Sequence, residues 1–137
     1  MQEGTFPAPG HPQVTAVPRG DTFAAACPAR ELLDRIAGKW SVLILLTLGT
    51  REMRFNGLRR RIEGISQKML SQTLRALERD GMIARAVEDS MPVTVTYSIT
   101  PLGRGLLSSL QSMIDWAETR MVDVAQAQRD YDALQRA

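Results

Sequence analysis

The most regular pattern of apolar and polar positions in the chain lies between Ser66 and Gly81. Apolar side chains recur there every three or four residues, the spacing that buries one face of an α-helix. Ser66 can accept a backbone hydrogen bond at the helix start, and Gly81 suits a left-handed stop. The opposite face is polar and cationic, which fits either a solvated surface or contact with nucleic acid. The buried face consists of Leu70, Thr73, Leu74 and Leu77, and the polar face of Lys68, Ser71, Gln72, Arg75 and Arg79.

Two further helices are predicted nearer the N-terminus. Cys27-Pro28 opens the first, since proline is tolerated at the first helical position, and Gly38 ends it. In the apolar segment from Trp40 to Leu48, periodicity does not distinguish a buried helix from a buried strand. Its short length, its flanking glycines and its leucines favour a helix. The first helix is expected to bury Ala29, Leu32, Leu33, Ile36 and Ala37.

A helix-turn-helix spacing leads into the central helix. Residues 53–55 form a short extended piece, and Asn56 can cap a third helix whose inward side chains are Leu58 and Ile62. Residues 63–65 then make a brief turn. Two short helices joined by about three residues containing glycine is the arrangement in which the second helix enters a DNA groove.

Two strands and a long helix complete the chain. Residues 83–87 predict one strand, and the alternation over 93–99 predicts a second, half-buried one, with a hairpin loop over 88–92. The expected fold class is therefore mainly α with a small β-hairpin wing, a winged helix-turn-helix. Thr100 can cap the final helix, in which apolar residues repeat at alternating spacings of three and four. A second copy of the chain is the natural partner for that seam, although the helix could instead fold back on its own core.

Charge along the chain is segregated. The net charge is +2 over 137 residues, yet residues 51–85 contain nine basic and four acidic residues, a local charge of +5. Such asymmetry is expected of a protein whose middle faces a polyanion, although a cluster of this kind also arises by chance. No apolar run approaches the roughly 20 residues needed to span a bilayer, so a cytoplasmic location without a membrane partner is expected.

The basic region divides into two kinds of DNA contact. Arginine or lysine can bond guanine, glutamine can bond adenine, and cations and amides also hold phosphates. The residues expected at base edges are Gln67, Lys68, Ser71, Gln72 and Arg75. Those expected at phosphates are Arg54, Asn56, Arg59, Arg60 and Arg79.

Several motifs resemble those of the HxlR-type transcriptional regulators, relatives of the MarR group. The resemblance covers about residues 27–116 and implies a homodimer that binds operator DNA, with the dimer formed by the first and last helices. The motifs are Cys27-Pro28, Gly38-Lys39-Trp40, Arg54-Phe55 before Leu58-Arg59, residues 64–70, Leu77-Glu78 before Gly81, and Tyr97-Ser98-Ile99-Thr100 before Gly103. The implied dimer residues are Leu32, Leu107, Leu110, Ile114, Ala117, Met121 and Val124.

Two departures from that family pattern bear on DNA binding. Gly57 follows the predicted cap of the third helix and weakens that helix by about 1 kcal/mol relative to alanine. The wing has no arginine near its second strand, and Glu88 and Asp89 make its tip acidic. These features weigh against insertion of the wing into a minor groove without deciding whether the wing contacts it.

Cys27 is the single cysteine, so no intrachain disulfide forms. A thiol at a helix start, with Arg30 nearby, favours the reactive thiolate, and some members of the resembled family sense oxidants at this position. A small buried cap residue is the alternative, and an effector bound near Trp40 and Trp116 would need no thiol chemistry.

Enzyme activity is not expected from these residues. The lone histidine, His11, has no second ligand nearby, and no metal site, phosphate loop or cofactor motif appears. A winged-helix adaptor that binds protein is the other rival to a DNA-binding regulator. The expected organisation is a disordered or extended N-terminal arm over 1–26, a winged DNA-binding domain over 27–100 whose first helix contributes to the dimer, and a C-terminal dimerisation helix over 101–137.

Overall fold

The computed structural model describes residues 22–24 and 26–137. Most of the expected arm, and His11, therefore lie outside the described residues. Five helices and three strands follow in the order α1 (Pro28–Ile36), α2 (Lys39–Thr50), β1 (Met53–Arg54), α3 (Phe55–Arg61), α4 (Gln67–Arg79), β2 (Ile83–Glu88), β3 (Thr94–Ile99) and α5 (Pro101–Arg136). The predicted fold class, mainly α with a small hairpin wing, is confirmed.

The chain divides into two compact units, the first of which ends at Ala37 and contains α1. Pro28 occupies the first helical position, as predicted, and Cys27 precedes it without a capping hydrogen bond from its side chain. The prediction that one face of α1 is buried is wrong for most of its residues. Of the predicted set only Ile36 is buried, and Leu33 is 50% exposed. Periodicity identifies the residues that share a helix face, but it does not say that the same chain covers that face.

The second unit, residues 38–137, is built around α2. The segment whose periodicity was ambiguous is a helix and runs through Gly49 to Thr50. Its side chains pack with those of α3 and α4. Burying this nearly all-apolar helix removes its apolar surface from water, which stabilises the fold. The fully buried side chains of this core are Ile44, Leu45, Leu48, Leu58, Leu70, Leu74 and Leu77.

The sheet has three antiparallel strands in the order β1–β3–β2. The extended piece predicted at residues 53–55 forms strand β1 over its first two residues, where Met53 pairs with Tyr97 and Arg54 with Thr96, while Phe55 already belongs to α3. Because β3 lies between two neighbours, all its residues are half-buried, and the predicted alternation is not seen. The edge strand β2 buries only Ile83.

The predicted cap of the third helix is wrong. α3 begins at Phe55 with Arg54 in the capping position, so Asn56 lies inside the first turn. Pairing of Arg54 with β3 holds the chain extended up to that residue, and the helix starts two residues earlier than the capping side chain of Asn56 suggests. The inward residues Leu58 and Ile62 are buried, as predicted.

Candidate nucleic-acid interface

The position of α4 is fixed at both ends by the residues that the sequence indicated. The Met69 amide donates to Ser66 Oγ at 3.0 Å, which satisfies one of the free donors at the helix start. Gly64 has φ +90° in the turn from α3, and Gly81 has φ +81° after α4, both in the left-handed region that favours glycine. The helix is therefore presented by a short turn rather than by a flexible loop.

The face of α4 opposite the core is exposed. Leu70, Leu74 and Leu77 are buried on one side, whereas Ser71 is half-buried at the edge of the polar side. The residues expected at base edges thus share one accessible ridge, together with one of those expected at phosphates. The exposed members are Gln67, Lys68, Gln72, Arg75 and Arg79.

The other residues expected at phosphates surround the start of α3. Arg54, Asn56, Arg59 and Arg60 are all exposed. A groove of about 690 Å³ runs between this helix start and residues 92–95 of the wing. Arg54, Asn56 and Arg60 line the groove, and Arg51, which sequence reasoning did not assign, joins them.

A second cavity connects α4 to the sheet. It has a volume of about 380 Å³, and its lining includes Ser71 and Arg75 from α4, Arg85 from β2 and Tyr97 from β3. The β2–β3 register places Arg85 directly opposite Tyr97, which turns this cation towards the base of α4. Sequence reasoning missed Arg85 as well. Arg51 and Arg85 are the two ends of the basic stretch, so the charge pattern was the signal that could have found them.

Few carboxylates of the protein lie close enough to the cations of this surface to pair with them. Arg79 lies 3.9 Å from Asp80 and is 82% exposed, an arrangement that contributes little in water. The remaining cations lie more than 4.0 Å from any carboxylate in the described residues. They are Arg51, Arg54, Arg59, Arg60, Arg61, Lys68, Arg75 and Arg85.

The wing tip has the opposite character. Met91 is 98% exposed, and Val87 and Val93 also face solvent. Glu88 accepts a hydrogen bond from Thr94 Oγ1 at 3.1 Å and is exposed, as is Asp89 beside it. The tip is therefore acidic, as the sequence indicated, and it is also apolar, which the sequence analysis did not predict.

Only the first part of α5 packs within its own unit. Leu107 lies so close to Gly49 of α2 that the glycine has no room for a Cβ atom, and Leu110 is buried. Beyond that point, Ile114 and Val124 are half-buried and Ala117 is exposed. Large apolar side chains face solvent along the rest of the helix, namely Met113, Trp116, Met121, Val122, Tyr131 and Leu134.

Two further candidate residues lie at or near α1, namely Cys27 and Leu32. Cys27 is buried, with 5% of its surface exposed, and Leu32 is half-buried. The described residues contain no group of three or more His, Cys, Asp or Glu able to hold a metal ion. In the part of the chain that the structure describes, no helix combines the length and the apolarity needed to cross a bilayer.

A short helix, a tight turn, a second helix with an exposed polar face and an adjoining hairpin define a winged helix-turn-helix regulator. The chain belongs to the HxlR-like helix-turn-helix family, whose model matches residues 35–124. It is 43% identical over 105 residues to the uncharacterized HTH-type transcriptional regulator YtfH of Escherichia coli (strain K12), covering 77% of this chain and 83% of that protein. The solved structure of ytfH from Salmonella typhimurium has a TM-score of 0.75 at 42% identity, covering 82% of this chain and 99% of that one.

Two other similar structures are described by their redox state. The redox regulator HypR in its oxidized form has a TM-score of 0.62 at 39% identity, covering 68% of this chain and 96% of that one. The diamide-treated YodB from Bacillus subtilis has a TM-score of 0.60 at 32% identity, covering 70% and 96%. The protein is thus a transcriptional regulator with a helix-turn-helix fold.

Proposed function

We propose that the protein binds double-stranded operator DNA as a homodimer, with one copy of α4 in each of two successive major grooves. The observation that carries the proposal is the exposed ridge of α4, opposite a fully buried face, where Lys68 and Arg75 lie more than 4.0 Å from any carboxylate in the described residues and only Arg79 has a carboxylate neighbour, Asp80. Two-fold symmetry then requires an inverted repeat with half-site centres roughly 34 Å apart. A winged-helix adaptor would need no such ridge.

Within this proposal, the ridge and its surroundings have different tasks. The N-terminal and middle positions of α4 read base edges, since these are the positions that enter the groove in helix-turn-helix proteins. The cations of α3 and the end of α4 hold phosphates and fix the register. The proposed base contacts are Gln67, Lys68, Ser71, Gln72 and Arg75, and the proposed phosphate contacts are Arg54, Asn56, Arg59, Arg60 and Arg79.

The homodimer is supported by the exposed apolar side chains of α5. Solvent-facing apolar residues concentrated along one long helix mark a protein-binding surface. In the proposed dimer they pack on the same helix of the second copy, with Leu32 of α1 contributing. This gives residues 27–100 the DNA-binding role and residues 101–137 the dimerisation role.

The experiment that tests DNA recognition compares Arg75→Ala with Arg60→Ala. Genomic fragments that the wild-type protein selects supply the operator, and a random duplex of equal length supplies the reference. Arg75→Ala should cost roughly 1–3 kcal/mol on the operator and relax specificity. Arg60→Ala should weaken binding to both duplexes alike and flatten the dependence of affinity on salt by about two phosphate contacts per dimer, one for each copy.

Two results would count against the proposal. Equal losses for Arg75→Ala on operator and random DNA would remove the assigned division between bases and phosphates. A wild-type protein with no preference for any genomic fragment would favour the adaptor instead. Arg120→Ala is the matched control for the loss of one arginine, because Arg120 already pairs with Asp123 at 3.1 Å; since it lies on the proposed dimerisation helix, sedimentation must first show that this variant is still a dimer.

We further propose that Cys27 makes DNA binding responsive to oxidants or electrophiles. The support is its place before α1 together with the likeness to HypR and YodB, whose structures are described as oxidized and diamide-treated. Diamide should change the operator affinity of the wild type and leave Cys27→Ser unchanged. Equal affinity with and without diamide in the wild type would leave a small-molecule effector as the alternative input.

A further inference from the structure

The end of α4 and the start of α5 are joined by a compact set of hydrogen bonds centred on Thr100. Its amide donates to the Met82 carbonyl at 3.1 Å, and the single proton of its hydroxyl is shared between the carbonyls of Gly81 at 2.6 Å and Met82 at 3.0 Å. The same hydroxyl accepts from the Gly103 amide at 3.0 Å. One side chain therefore bonds both to the turn that ends α4 and to the first turn of α5.

The backbones of Met82 and Gly103 also approach each other closely at this place. A Cβ atom at Gly103 would overlap the Met82 carbonyl oxygen and lie 2.9 Å from Ile99 Cγ1. The Gly81 amide donates to Glu78 and the Met82 amide to Leu77, so the turn is also bonded back to α4. We call these bonds and contacts, formed by residues 81, 82, 100 and 103, the α4–α5 junction.

We infer that Thr100 is a positioning residue that fixes the angle between α4 and α5, and thereby the half-site spacing that the dimer accepts. This inference rests on the proposed function, because spacing has meaning only for a dimer on an inverted repeat. The Thr100 side chain hydrogen-bonds both to the turn after α4 and to the first turn of α5. Thr100 itself need not touch DNA.

The size of the effect follows from the length of α4. Its 13 residues span about 20 Å at about 1.5 Å per residue. A change of about 10° at the junction would displace the far end by about 3 Å, close to the 3.4 Å that one base pair adds along the DNA axis. A loose junction would therefore let the dimer accept spacings that differ by one base pair.

The first test compares Thr100→Val with Thr100→Ser and with Thr47→Val. Valine keeps the shape and removes the hydroxyl, serine keeps the hydroxyl, and Thr47 bonds only within its own helix, to the Leu43 carbonyl at 2.8 Å. Affinity is measured on duplexes whose half-site spacing changes by one or two base pairs. Wild type, Thr100→Ser and Thr47→Val should lose roughly tenfold or more per base pair, and Thr100→Val less than about threefold. An unchanged spacing profile in a folded Thr100→Val dimer would overturn the inference.

The second test does not depend on DNA or on dimerisation. Spin labels at Gln72→Cys on α4 and Ser112→Cys on α5, in a Cys27→Ser background diluted with unlabelled protein, report the distance within one chain. The distribution should be narrow in the otherwise wild-type protein and broad when Thr100→Val is added. A broad distribution before Thr100 is changed would overturn the inference even if Thr100→Val does not fold. A narrow distance distribution, combined with no operator preference in the unlabelled wild-type protein, would support the junction and refute the proposed function instead.

Discussion

Gly103→Ala and Gly105→Ala make a matched pair, because both add one methyl group to the first turns of α5. At Gly105 the new Cβ meets no atom within 4 Å, whereas at Gly103 it meets the backbone of Met82. Gly105→Ala should therefore stabilise the protein by about 0.5–1 kcal/mol, the ordinary gain of alanine over glycine in a helix.

The cost at Gly103 is larger and has two parts. Forcing a methyl group into a filled site costs about 1–3 kcal/mol, and the atom in the way is a carbonyl rather than a movable side chain. Shifting that carbonyl also weakens its two hydrogen bonds from Thr100, each worth about 1 kcal/mol net. After the gain in helix propensity, Gly103→Ala should lose about 2–4 kcal/mol, a large part of the roughly 5–15 kcal/mol available to a domain.

Urea unfolding followed by circular dichroism measures both free energies of unfolding. The variants must be compared with wild type at one protein concentration, because an oligomer gains stability by mass action. Unchanged m-values would show that the native and unfolded states are comparable in compactness. If Gly103→Ala proved as stable as Gly105→Ala, the close approach of α5 to Met82 would be wrong, and the α4–α5 junction with it.

Three further predictions concern the helices that form the proposed interface. Gly57→Ala should raise the unfolding free energy by about 0.5–1 kcal/mol, because the added Cβ meets only Met53 at 3.8 Å, and urea titration would expose an unexpected loss. Ser66→Ala should cost about 1 kcal/mol through loss of the cap on the Met69 amide, and Ser66→Asp should restore it; equal stability of all three proteins would contradict this. Met121→Lys should shift sedimentation towards the monomer if α5 forms the dimer, whereas an unchanged sedimentation coefficient would move the interface elsewhere.

The parts of the fold that the sequence predicted are those governed by neighbouring residues. Ser66, Gly81 and Thr100 were assigned as caps and stops from local chemistry, and the hydrogen bonds and φ angles confirm them. Strand β1 was predicted only as an extended piece and not as part of the sheet. Its partners, Tyr97 and Thr96, lie more than forty positions further along the chain. The same long-range pairing moved the start of α3 away from Asn56.

The candidate site shows the same division. Periodicity predicted which side of α4 faces solvent, since a helix turns by a fixed angle per residue. It could not predict that Arg85 would share a cavity with Ser71 and Arg75, because that neighbour comes from the edge strand of a sheet. Whether the apolar face of α1 is buried could not be predicted either. Periodicity places Leu33 on that face, but the sequence of α1 alone does not determine whether another element buries it.

The burial of Cys27 has a kinetic consequence. With 5% of the residue exposed, a reagent larger than water can reach the sulfur only when the surrounding segment opens. The rate of alkylation should then rise with reagent concentration and level off at the rate of opening itself. Any response that depends on this thiol could therefore be no faster than the opening of the protein around Cys27, however high the reagent concentration.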